Sequence, residues 1–101
     1  MSKHVIETVT FKLKSGISRD EFAEAARAMN GFVTAQPGFI SRRLSCGDDG
    51  AWIEHIEWMD MASAKAAADA IGTVESNMPF LAAIDEASVG MHHTELEVTV
   101  N

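Results

Sequence analysis

Tyrosine is absent from this chain of 101 residues, cysteine occurs once and proline twice. The single Cys46 excludes an internal disulfide, so the fold must be held by its core. With so little proline and no low-complexity run, nothing reads as a linker or a disordered arm. Positive charge is scarce as well. Eight Lys and Arg against fifteen Asp and Glu leave a net charge of −7, and the only adjacent basic pair is Arg42-Arg43. That balance argues against a nucleic acid or an anionic membrane surface as partner. No apolar run approaches the ~20 residues of a membrane span, and the opening M-S-K-H-V has no apolar leader, so a cytoplasmic protein is expected. What is present is an ordinary globular composition, 47% hydrophobic, fitting a single domain over residues 1–101. A domain of this size buries only about two thirds of its unfolded surface, so a second subunit would add stability.

The apolar pattern divides the chain into six main elements. Residues 4–14 alternate as a strand, with Val5, Val9, Phe11 and Leu13 on one face and Glu7 as a carboxylate in line with them. Ser18 and Glu21 form a capping box that opens a helix with an apolar stripe of Phe22, Ala25, Ala26, Met29 and Val33. Gly31 weakens this helix, and Pro37-Gly38 ends it near Gln36. A second strand, Phe39 to Cys46, places Ile40, Arg42, Leu44 and Cys46 together, and Gly47-Asp48-Asp49-Gly50 is a turn into a third. In that third strand Trp52, Glu54, Ile56 and Trp58 share one face, and Ile53, His55, Glu57 and Met59 the other. Neither face is cleanly apolar, which fits a central strand covered on both sides. Asp60 caps an alanine-rich helix that Gly72 stops, and Asn77-Met78-Pro79 starts a short turn in which Phe80, Leu81 and Ile84 share a face. The final strand, about 87–100, changes its apolar parity at His92-His93. A β-bulge, or a strand that leaves one sheet and joins another, would account for the change.

The order β-α-β-β-α-β predicts an α+β, ferredoxin-like fold: a four-stranded antiparallel sheet with the helices on one side and the first and third strands central. The other sheet face would be bare, and a bare face with apolar groups is an association surface. Two sheets meeting face to face would close a dimeric α+β barrel, so a homodimer is expected.

The residues Glu7, Phe11-Lys12-Leu13, Gln36-Pro37-Gly38-Phe39, Arg42, Asp49-Gly50, Trp52 and Trp58, followed by an alanine-rich helix and a last strand with His92, resemble the antibiotic biosynthesis monooxygenase-like group of the dimeric α+β barrel superfamily. The resemblance spans nearly the whole chain, and its most specific part is P-G-F followed by a hairpin and W-x-E-x-x-x-W. It implies a homodimer with a pocket between sheet and helices or in the barrel interior. It also implies cofactor-independent oxidation or acid/base chemistry on an aromatic or polyketide-like molecule, with Trp58 in the pocket wall. The alternative is a non-catalytic small-molecule-binding or stress-associated barrel. The chain departs from the better-understood monooxygenase pockets in having no tyrosine and no asparagine in its central strands.

The residues themselves nominate Glu7 and Glu54 as catalytic carboxylates. Each stands among hydrophobes on neighbouring strands, and desolvation suits a carboxylate to proton transfer near neutral pH. The structural account is an ion pair with Arg42 or Arg43. His92 is nominated as their proton-carrying partner, with Trp58, Trp52, Arg42 and Phe80 as substrate contacts. The competing account of Trp58 is a core tryptophan under the second helix. No metal is expected, because adjacent histidines on a strand point to opposite faces and no chelating spacing is present. No cofactor is expected either: haem breakdown in the resembled group uses a histidine in the second helical region, and Met61 to Asp85 contains none. Cys46 reads as a small structural residue, since no basic neighbour in sequence would lower the pKa of its thiol.

Overall fold

A computed structural model describes residues 3–101. The sheet contains β1 (Val5–Phe11), β2 (Phe39–Cys46), β3 (Trp52–Trp58) and β4 (Gly90–Glu95), in the order β2-β3-β1-β4 with every pairing antiparallel. Helices α1 (Arg19–Ala28), α2 (Asn30–Ala35), α3 (Met61–Ile71) and α4 (Met78–Ala83) connect the strands, with 3-10 turns at Glu75–Asn77 and Glu86–Ser88. This is the α+β, ferredoxin-like plan, with β1 and β3 central.

Local chemistry sets the boundaries. Ser18 and Glu21 satisfy each other's backbone N–H groups in a complete capping box at the start of α1. Asp60 accepts from the Ser63 N–H at 2.8 Å and starts α3. Gly38 takes φ +82°, and a Cβ there would land on the Ser63 side chain, so the Pro37-Gly38 corner brings β2 against the first turn of α3. The Met59 N–H donates to the Gly38 carbonyl at 2.7 Å and fastens that corner to the end of β3.

Three local expectations are corrected. The helix expected from Ser18 to Gln36 is two helices, because Arg42 of β2 donates to the Ala26 carbonyl at 2.8 Å and the Met29 N–H meets the same carbonyl at 3.1 Å. A side chain inserted into the helical ladder breaks it there. Ile40 does not share a face with Arg42: the register shifts between Phe39 and Ser41, Ile40 is 41% exposed, and Phe39 packs edge-on against Trp58 at 5.9 Å. The last strand is shorter than expected and contains no bulge. Its pairing with β1 runs unshifted from Gly90 to Glu95, and the Leu96 N–H bonds to the His4 carbonyl just beyond. Residues 97–101 then lie outside the sheet, with Val98 83% and Val100 92% exposed.

The core is divided. Phe11, Phe22, Trp52 and Phe80 lead one cluster beneath α1 and α4, with Phe22 and Phe80 stacked at 4.8 Å. Val5, Ile56 and Trp58 form a second with Ala64 and Ala67 of α3. The alanine face of α3 brings little volume toward the sheet, and the space between the two clusters is only partly filled.

Candidate functional site

Between the two core clusters lies a cavity of about 360 Å³. Its sheet side is formed by Glu7, Val9, Glu54 and Ile56, alternate residues of β1 and β3 that the register places as neighbours. Trp58 and Ala67 bound it on one side, Phe80 and Ile84 on the other, with Met29, Phe32 and Val33 from the α1–α2 region. The exposed side chains of Glu86, Val89 and Met91 lie where it meets solvent. Among the described residues, every polar side chain on the wall apart from the Trp58 indole is a glutamate: Glu7, Glu54 and Glu86.

Glu7 and Glu54 are both buried, 7% and 5% exposed, but their partners differ. Glu7 accepts one hydrogen bond on Oε1 from the Trp58 indole N–H at 2.9 Å. Its Oε2 lies 3.8 Å from Nε2 of His93, its cross-strand neighbour, within ion-pair range but beyond a hydrogen bond. That His93 nitrogen is buried and has no hydrogen-bond partner among the described residues. Glu54 is bound on both oxygens by Arg42, through Nε at 3.1 and 3.2 Å and a terminal nitrogen at 3.0 Å. The other terminal nitrogen of Arg42 donates to the Ala26 carbonyl and to Oδ1 of Asn30 at 2.9 Å, and the guanidinium carbon sits 5.7 Å from the centre of the Phe80 ring. Burial pushes the Glu54 carboxyl above its ordinary value, the Arg42 hydrogen bonds and charge pull it back, and the charge of Glu7 adds to the rise.

Of the residues nominated from sequence, Glu7, Glu54, Trp58 and Phe80 line this cavity, and Arg42 and Trp52 line a smaller one of about 200 Å³. Arg42 stands behind Glu54 rather than on the wall, and Trp52 packs against Phe22 at 4.8 Å within the first core cluster. His92 is not with them. It pairs with Thr8 on the opposite face of the sheet and is exposed, whereas His93 pairs with Glu7 and points inward. The signal was in the sequence: Val89 and Met91, the apolar residues before the pair, share the parity of His93. Asn30 and Glu86 were not nominated at all, and nothing in their local pattern marks them. Among the described residues no three His, Cys, Asp or Glu side chains converge as metal ligands would.

No protein-family model matches the chain, and no curated protein matches it in sequence. Solved structures do match in fold. A point variant of SnoaB, a cofactor-independent oxygenase from Streptomyces nogalater, is 17% identical with a TM-score of 0.78, the match covering 98% of each chain. A candidate antibiotic biosynthesis monooxygenase from Bordetella bronchiseptica is 10% identical with a TM-score of 0.80, over 96% of this chain and 100% of that one. A further candidate of the same description, from Chloroflexus aurantiacus, is 16% identical with a TM-score of 0.69 over 97% of each chain. With its four-stranded antiparallel sheet and helical layer, the chain has the fold of the antibiotic biosynthesis monooxygenase-like structures.

Proposed function

We propose that the chain catalyses cofactor-independent oxidation or related acid/base chemistry on an aromatic or polyketide-like small molecule held between sheet and helices. The observation that carries this reading is Glu7: a buried carboxylate on the wall of an otherwise apolar cavity, oriented by the Trp58 indole and with one oxygen free of hydrogen bonds to the described residues. Glu7 would take a proton from an activated O–H or C–H of the substrate. His93, in place of His92, would stabilise the Glu7 carboxylate from behind. Glu54, held by Arg42, would shape the cavity as a positioning residue, while Trp58 and Phe80 hold the ring system. For an oxygenation of a ring CH₂ to a carbonyl, dioxygen is the oxidant and the substrate supplies the electrons; one oxygen atom enters the product and the other leaves as water.

The same reading takes the working form to be a cytoplasmic homodimer. Supporting the dimer are Ile6 and Ile53 on the sheet face that the helices leave bare, the two sheet edges, β2 and β4, that no strand among the described residues covers, and the exposed valines of residues 97–101. Among the described residues no helix is long and apolar enough to cross a membrane.

A non-catalytic binding barrel is the second reading, and the ion pair of Glu54 with Arg42 favours it, because that carboxylate is already consumed. Dioxygen uptake measured over a panel of polycyclic phenols and anthrone-like compounds separates the two. Turnover by the wild type, reduced at least ~10²-fold in Glu7→Gln, is the expected result. Turnover that Glu7→Gln leaves intact would dismiss the assignment.

A further inference from the structure

We propose that the cavity is selective for ligands bearing a protonated amine on an aromatic or aliphatic frame, a substrate class that rests on the cavity being the binding site. Among the described residues, the polar groups of the wall besides Trp58 are Glu7, Glu54 and Glu86; Glu54 is taken up by Arg42 and Glu86 is exposed at the mouth, which leaves Glu7 as the acceptor within the cavity. Among the described residues the side-chain donors at the wall are engaged: the Trp58 N–H is committed to Glu7, and the Arg42 groups behind Glu54 are directed to Glu54, Ala26 and Asn30; His93 Nε2 stands off the wall, 3.8 Å from Glu7. A carboxylate on a ligand would enter beside these glutamates without a cation to pair it, and an unpaired buried charge is penalised.

The charges point the same way. Two buried carboxylates face one guanidinium, and that guanidinium is bound to Glu54. Glu7 keeps an indole donor on Oε1 and the His93 nitrogen 3.8 Å from Oε2, beyond hydrogen-bond distance, so Oε2 has room for a hydrogen-bonded cation. Buried charges are ordinarily paired, and an ammonium beside Glu7 Oε2 would supply the missing partner through a charge-assisted hydrogen bond. The aromatic faces of Trp58 and Phe80 would receive the cation or its ring. The chain's net charge of −7 would draw such a ligand in and repel an anion.

The test uses three probes of one shape: 2-naphthylmethylammonium, 2-naphthylmethanol and 2-naphthoate, each titrated by calorimetry against the full-length protein at neutral pH. The ammonium is expected to bind at least about tenfold more tightly than the alcohol, and the carboxylate more weakly than either. In Glu7→Gln, whose amide oxygen still accepts from Trp58, the ammonium should lose its advantage over the alcohol. Equal binding of ammonium and alcohol, or tightest binding of the carboxylate, overturns the amine proposal and leaves the cavity standing as a site. Failure of all three to bind removes the site as well. If Glu7→Gln does not fold, the ranking on the wild-type protein decides alone.

Discussion

Glu7 and Glu54 look alike in sequence, each a carboxylate in an apolar row, and they differ by what reaches them. Arg42 binds Glu54 with three donor contacts and ties it to α1 through Ala26. Removing one partner of such a pair leaves a buried charge, so Arg42→Met should cost about 3–5 kcal/mol in urea unfolding, much of it recovered in Arg42→Met/Glu54→Leu. The pH dependence has a definite sign. Burial raises the Glu54 carboxyl above its ordinary value near 4.5, so the folded state holds that proton more tightly than the unfolded chain. Its contribution is therefore complete below the ordinary value and is lost as pH rises through the raised one. Glu54→Gln should remove this decline from the urea midpoints. A midpoint series that is unchanged by the substitution would mean that Glu54 is solvated.

At the scale of elements, much of the fold was legible because local chemistry and tertiary packing agree. The Ser18–Glu21 box, the Asp60 cap, the Asp49-Gly50 turn and the Pro37-Gly38 corner all stand where their residue types place them. Gly38 carries the sharpest consequence. Gly38→Ala should destabilise by at least ~1–2 kcal/mol from the left-handed backbone alone, and by more through the clash with Ser63, as read from thermal or urea unfolding. An unchanged midpoint would show that the corner relaxes freely. The failures share a cause, which is that long-range contacts decided them. Nothing within 19–35 announces that a β2 arginine will take the Ala26 carbonyl, and nothing in F-I-S-R-R says that the ring of Phe39 will be drawn to Trp58 at the expense of Ile40. The cavity was legible only as a set of residues of one parity. Its existence depends on how far apart two core clusters settle, a distance that no periodicity encodes.

For the whole molecule, the helices cover one face of the sheet and leave the other to Ile6, Thr8, Ile53, His55, Glu57 and His92. Sedimentation at micromolar concentration should give twice the mass of one chain, and deletion of residues 97–101, which removes two exposed valines, should shift the balance toward monomer. A single-chain mass for the intact protein would leave that face without a partner and refute the dimer. The two faces also offer two different sites. On the helix side are Glu7, Trp58 and a cavity; on the other are His55 and His92 flanking Thr8. A crystal structure with a bound naphthyl ligand separates them. Density between Trp58 and Phe80, with its polar atom about 3 Å from Glu7, is the expected result. Density against His55 and His92, with the helix-side cavity empty, would contradict it.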